Sequence, residues 1–292
     1  MRDNLTEKKG SKPVVISLTK KETESQHLSP RQLKQAVEAI GRDGYVVIEN
    51  AIPHKPLDML REKMDQDSRI LIDREQWGGA GQLKGHLQQG PPPFAPFIFR
   101  EIVANPFVIQ VNTALLGEGI FNNFYNGNTN CPGSGTQPLH RDGPHLWPGH
   151  EPPHPTASVA VNISPHDVTA ENGAVELWPG THLHPFPETV IDEETEEAQR
   201  KVSPPINGCA KKGSVLIRDM RLWHRGVPNR SDRPRHMIAQ VHCIRWYRNR
   251  GPLMFNTGCE KAFPADCGLD HNAEFTEDPI NYLFLNPPES KK

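Results

Sequence analysis

The stretch Gly213–Tyr247, GSVLIRDMRLWHRGVPNRSDRPRHMIAQVHCIRWY, sets two short apolar runs on either side of a polar segment rich in Arg, Asn and Pro. GSVLIRD and MIAQVHCIRWY each have the length and texture of a strand, and the segment between them is built of turn formers. The same texture extends backward to Gly119, through GAVELWPG and ASVAVNIS. Many short strands with Gly, Pro, Asn and Asp between them indicate a sandwich or barrel, here over about residues 119–250.

Upstream the period changes. SPRQLKQAVEAIGRDG reads as a helix with Ser29 as N-cap, Pro30 at the first turn, and Gly41 or Gly44 as terminator. Leu33, Val37 and Ile40 form its apolar stripe. YVVIENA is a β-branched run and predicts a strand, and KPLDMLREKMDQD returns to helical period. WGGAGQLKGHLQQGPPPFAPF is too rich in Gly and Pro for regular structure and predicts a long functional loop. FREIVANPFVIQVNTALLG predicts a helix broken at Pro106. The expected organisation is a loosely ordered arm over residues 1–28 and one domain over 29–292. An acidic insert at about 183–205, containing DEETEEAQRK, is expected to form a short helix on a loop able to act as a lid.

The chain has 35% hydrophobic and 23% charged residues, so it can bury a core. Lys plus Arg number 33 against 35 Asp plus Glu, which provides no basic surplus for nucleic acid or an anionic membrane. The five cysteines lack CxxC spacing and suit a reduced compartment. The N-terminus has no apolar signal region, no run is long enough to span a bilayer, and ESKK is not a peroxisomal tail. A cytoplasmic location is the expectation, with a homodimer left open.

The chemistry concentrates in TQPLHRDGPHLWPG, Thr136–Gly149. If PLHRD is extended, His140 and Asp142 share one face, because strand side chains alternate. His224, roughly eighty residues downstream, supplies a third ligand. Two imidazoles and one carboxylate, leaving half an octahedron open, form the facial triad of non-haem Fe(II) oxygenases. An HxD pair alone is equally a polar loop. The second set of residues after His224 gives it weight: Arg235 can return beside His224 if the segment is strand, turn, strand. A guanidinium fork there matches the far carboxylate of an oxo-acid. Arg233 is the rival for that clamp.

DGYVVIENAI, LHRD, TAENGAVELWPGTH, KKGSVLIRD and WHRGVPNRSDRPR occur in this order over most of residues 35–245. Together they resemble the phytanoyl-CoA hydroxylase-like (PhyH) family of Fe(II)/2-oxoglutarate dioxygenases. The resemblance implies a double-stranded β-helix (a cupin-like jelly roll) flanked by helices. It implies Fe(II) held by His140, Asp142 and His224, with 2-oxoglutarate and O2 as co-substrates. It implies 2-oxoglutarate bound through Arg235, with Gln137 and Thr169 at positions that touch the oxo-acid in relatives. The implied reaction oxidises, by default hydroxylates, a C–H bond of a small molecule, releasing succinate and CO2. The competing expectation is a metal-binding jelly roll that is a hydrolase, an isomerase or a silent binding protein.

Other residues weigh less. His145 and Trp147 belong to the loop over the pocket, and His182 shapes the PGTH turn. His150, His154 and His166 are expected in solvent. Asn122, Asn123, Tyr125 and Asn126 lie on a strand that leads to the metal and are candidate substrate contacts. The acidic run Glu193–Glu197 reads as a solvated helix face.

Overall fold

In the computed structural model, residues 13–151 and 153–285 are described. In chain order the strands are β1 (Val15–Ser17), β2 (Tyr45–Glu49), β3 (His86–Gln88), β4 (Phe121–Asn130), β5 (Ser158–Ile163) and β6 (Glu176–Leu177). They continue with β7 (Ile206–Asn207), β8 (Val215–Asp219), β9 (His224–Arg225), β10 (Arg235–Cys243), β11 (Leu253–Asn256) and β12 (Ala273–Thr276). The helices are α1 (Lys20–Ser25), α2 (Pro30–Asp43), α3 (His54–Asp73), α4 (Arg100–Val103), α5 (Pro106–Leu116) and α6 (Glu193–Val202). No helix among the described residues is long and apolar enough to cross a membrane.

The major sheet runs β1-β2-β8-β5-β10-β4-β3, antiparallel except for the edge pair β1–β2. A smaller sheet, β7-β6-β9, is extended by bridges from His140 to both His224 and Val190. The core is mainly β with flanking helices, a jelly roll. Its cavity follows from strand alternation. In β5, Val159, Val161 and Ile163 pack with Val215, Ile217 and Ile238 into the core that includes α2, α3 and α5. Ser158, Ala160 and Asn162 face the other way and, being small or polar, leave open space there.

The helices follow their sequence signals, with one shift. Ser29 accepts from the Gln32 N–H, and Gly44, at φ 86, ends α2. The fully buried stripe is Ala36, Ala39 and Ile40 rather than Leu33, Val37 and Ile40, because small residues let α2 approach the sheet closely. A Cβ on Gly44 would meet Leu222 at 2.7 Å and the His182 ring at 2.8 Å, so His182 does shape this junction. Pro106 separates α4 from α5, and Asn105 caps α5 by accepting from the Phe107 and Val108 N–H groups.

Three expectations are corrected. Residues 13–28 are not a loose arm: β1 pairs in parallel with β2, Ile16 and Leu18 are buried, and the Thr19/Glu22 capping box orders α1. The remainder of that arm, residues 1–12, lies outside the described residues. The Gly/Pro-rich stretch contains β3, which adds an edge strand beside β4. The acidic insert forms the expected short helix, α6, but the segment before it is tied down. Arg141 N–H donates to Thr189 O and Ile191 N–H to Leu139 O, so residues 189–191 form an antiparallel bridge to the His140 segment. Glu196 of α6 takes a two-pronged hydrogen bond from Arg225, and Glu176 also pairs with Arg225, which is why this acidic face is not simply solvated.

His166 is not in solvent either. Its Nε2 accepts the His236 N–H at 2.9 Å, and burial pushes its pKa down to about 4. Burial likewise pushes His242 down to about 3, beside Asn112 at 2.8 Å. Unfolding returns both to about 6.5, so below that pH the unfolded chain binds more protons. Stability present above pH 6.5 is therefore lost as pH falls toward these folded values, by up to about 1.4 kcal/mol per pH unit for each group. Urea midpoints measured from pH 7 to 4.5 should fall. His242→Asn, whose amide oxygen can accept from Asn112, should show a shallower decline, and an unchanged slope would mean that His242 does not titrate as a buried neutral ring.

Candidate metal centre and its two cavities

His140 and His224 are opposite each other because their backbones exchange both hydrogen bonds, His140 N–H to His224 O at 3.0 Å and the reverse at 2.8 Å. Such a hydrogen-bonded pair projects both side chains to one face. The imidazole centroids are 4.4 Å apart. Asp142, two residues along, returns to the same face, with its N–H bonded to Met220 O at 3.0 Å.

Three donor atoms from His140, Asp142 and His224 lie within 4.8 Å of one another. Both rings are oriented from behind: His140 Nδ1 is 2.8 Å from Pro138 O, and His224 Nδ1 is 3.0 Å from Leu222 O. A carbonyl only accepts, so each Nδ1 carries a proton and each Nε2 is the ring atom directed toward Asp142. The Nε2 atoms lie 3.7 and 3.4 Å from the carboxylate oxygens. Burial pushes the His224 pKa down to about 3, with the nearby Arg218 adding to the effect. Burial alone would raise Asp142, but Arg218, His224 and His140 hold it well below the usual carboxylate range. His224 as a neutral imidazole and Asp142 as an anion are the forms in which a divalent cation binds them.

Arg218 is the residue that sequence reading missed. It donates to Asp142 Oδ2 through Nη2 and to Asn162 Oδ1 through Nε at 3.1 Å. The available signal was an arginine in the strand VLIRD, among residues that otherwise belong in a core.

Two cavities meet at Asp142 and Arg218. One, of about 490 Å3, contains Gln137, His86 and Arg235 as well as the three candidate ligands. Arg235 is buried, with Nη2 donating to Gly173 O at 3.1 Å and Nε without a partner. Among the described residues no carboxylate pairs with it, and burial lowers its pKa to about 10. A desolvated guanidinium without a counter-ion is costly unless a ligand supplies one. Arg233 is exposed instead. Gln137 lines the same cavity, its Oε1 accepting the Gly226 N–H at 2.9 Å.

Thr169 is not brought there. It is exposed, its hydroxyl accepting the Asn172 N–H and its own N–H donating to Asn172 Oδ1 in a local turn that keeps its side chain away from the cavity.

The second cavity, of about 330 Å3, lies along β5, β8 and β10 and is bounded by Asn123, Leu146 and Tyr247. A bulge in the β4–β10 ladder sets Asn123 and Phe124 both toward it; Asn122, Tyr125 and Asn126 do not line it. His145 is buried against His184 O at 2.9 Å, outside the ligand cluster. His154, expected in solvent, is buried and accepts the Leu146 N–H. Trp147 is half exposed, with its ring 6.0 Å from that of Trp246.

The family model described as Phytanoyl-CoA dioxygenase (PhyH) matches residues 40–237. Dioxygenase andF of Emericella variicolor is 24% identical over 144 residues, which is 48% of this chain and 47% of that protein. The chain thus spans about half the length of this curated relative. AviO1 from Streptomyces viridochromogenes Tue57 is 19% identical with a TM-score of 0.56, over 77% of this chain and 100% of that one. EctD from S. alaskensis, solved with 2-oxoglutarate and 5-hydroxyectoine, is 20% identical with a TM-score of 0.53, over 74% and 76%. SnoN, a non-heme alpha ketoglutarate dependent epimerase from nogalamycin biosynthesis, is 18% identical with a TM-score of 0.54, over 74% and 82%. At these identities the structural likeness shows a shared fold.

The centre makes a direct prediction. His224→Ala and Asp142→Ala should each weaken Mn(II) binding by roughly a hundredfold or more in calorimetric titration, beyond the effect of losing an outer partner. His145→Gln should leave it within about twofold, since that ring faces His184 O rather than the cluster.

Proposed function

The chain belongs to the phytanoyl-CoA dioxygenase (PhyH) family, and on that premise we propose that it is an Fe(II)/2-oxoglutarate-dependent dioxygenase. In this reading it oxidises a C–H bond of a small molecule, with hydroxylation as the outcome. The observation that carries the reading is the pairing, in one cavity, of a two-His, one-carboxylate cluster with a buried arginine that has no carboxylate partner among the described residues.

His140, Asp142 and His224 would hold the metal, and their donor chemistry suits Fe(II). Bound there, iron and 2-oxoglutarate supply dioxygen activation and the two-electron oxidation, leaving succinate and CO2. The protein does the positioning. Arg235 offers its guanidinium to the far carboxylate of 2-oxoglutarate, with Gln137 in the same cavity. Arg218 holds one carboxylate oxygen of Asp142 and limits how that side chain can turn. The carbonyls of Pro138 and Leu222 keep both Nε2 atoms aimed inward. Buried Trp178, Trp223 and Leu139 pack together beside the ligand strands and keep them from opening to water.

A hydrolase or isomerase built on the same cluster would leave Arg235 buried without a counter-ion, so the oxygenase reading is preferred. The likeness to a protein of nogalamycin biosynthesis supports a substrate from secondary metabolism.

Anaerobic addition of Fe(II) and then 2-oxoglutarate should produce a visible metal-to-ligand charge-transfer band; a flat spectrum at saturating additions would falsify the proposal. Arg235→Gln should weaken 2-oxoglutarate binding by roughly 30- to 150-fold, the equivalent of about 2–3 kcal/mol for lost charge-assisted hydrogen bonds. Arg233→Gln should change it by less than about twofold, as expected for an exposed charge. The reverse ranking would move the carboxylate clamp to Arg233.

A further inference from the structure

We infer that the second cavity takes a monoanionic substrate, a carboxylic acid with an apolar body, and that Arg250 at its outer end is the residue that selects it. The inference rests on the proposed activity for one point only, that the Arg235 cavity is reserved for 2-oxoglutarate.

The inner face of β10 lays out the geometry. Arg235, its first residue, lies in the 490 Å3 cavity, and Met237 lines both cavities. Ala239, Val241 and Cys243 then line only the 330 Å3 cavity, and the chain turns after Cys243 to bring Tyr247 and Arg250 to it. From Met237 to Cys243 is six residues of strand, about 20 Å. One arginine therefore stands in each of two adjoining cavities, with Asp142 in the wall they share.

Charge accounting separates the two ends. Besides Arg250, the ionised groups lining this cavity are two aspartates and two arginines, and they cancel in pairs. Arg218 pairs with Asp142, and Arg221 grips Asp219 through Nε at 3.0 Å and Nη2 at 2.8 Å. Arg250 has no ion pair among the described residues; its guanidinium lies 5.6 Å from the Phe124 ring centroid. One uncompensated positive charge is matched by one negative charge, whereas a phosphate dianion would leave an excess.

The segment carrying Arg250 is anchored at the cavity. Asn123, set inward by the β4 bulge, donates to Asn249 Oδ1 at 2.8 Å, and Asn272 donates to Gly251 O at 3.1 Å. Between the charge and Asp142, Ala160, Ala239 and Val241 offer contact to hydrocarbon, with Ser158 and Asn162 as the polar side chains on the same face of β5. A substrate held by its anion at Arg250 thus presents its far, apolar end to the metal cluster.

The test uses the full chain loaded with Mn(II) and 2-oxoglutarate. The probes are alkyl and aryl carboxylic acids, their primary amides and the matching phosphate monoesters, read by thermal shift and calorimetry. Acids should stabilise the protein and bind more weakly as salt rises, while amides on the same skeletons bind at least tenfold more weakly. Arg250→Gln should abolish that preference, Arg250→Lys should restore part of it, and both should bind Mn(II) and 2-oxoglutarate as the parent does. Equal binding of acids and amides, preference for the phosphate esters, no binding by any acid, or an unchanged preference in Arg250→Gln would each overturn the inference. Arg235→Gln separates the two readings. Acid binding that survives while 2-oxoglutarate binding is lost supports both, whereas a parent protein that binds acids but never 2-oxoglutarate sinks the proposed activity alone.

Discussion

The reciprocal backbone hydrogen bonds between His140 and His224 are the constraint on which this molecule depends. They join the small β7-β6-β9 sheet to the segment around Leu139–Arg141, which in turn pairs with the insert at 189–191. Without that pair the smaller sheet would end at β9, and the two imidazoles would have no common face. Peptide geometry thus builds the cluster before any side chain contributes. The carbonyls of Pro138 and Leu222 then fix the rings, and the Arg225–Glu176 and Arg225–Glu196 pairs hold the strand that carries His224.

Electrostatics divides the interior into three arginine environments. Arg218 is neutralised by Asp142 and serves as a brace for a candidate ligand. Arg235 is buried without an anionic partner among the described residues, so its desolvation penalty remains until a ligand offsets it. Arg250 keeps contact with solvent, so leaving it unpaired costs little, and it can discriminate among ligands by charge. The proposed sequence of functions along β10, co-substrate, metal, substrate, is the physical order of these environments. A strand is suited to this arrangement because alternate residues line one wall at regular spacing.

Much of this was legible in the residues themselves. The spacing of His140 and Asp142 implied a shared face, Ser29 and Pro30 marked the start of α2 with Gly41 or Gly44 as its end, and Pro106 marked the break between α4 and α5. Less legible were features that depend on neighbours distant in sequence. Thr169 stands in a motif that suggested the co-substrate, yet a local turn with Asn172 turns it to solvent. The acidic insert had the composition of a mobile lid, yet its backbone completes a ladder and Glu196 meets Arg225. Composition reports the cost of burying a group and says nothing of the partner that removes the cost.

By itself the sequence determined the mainly β class, because alternation and turn chemistry act over a few residues, and its ordered motifs matched the family and so named three candidate metal ligands and two rival arginines for the clamp. Tertiary structure alone decided between Arg235 and Arg233 for a place in the cavity, assigned Arg218 to Asp142, and left Arg250 facing the second cavity with no ion pair among the described residues. Those outcomes depend on which charges meet across strands up to a hundred residues apart in the chain. Coulomb energy and desolvation depend on distance and burial in the folded state, and neither quantity exists until the sheets have closed.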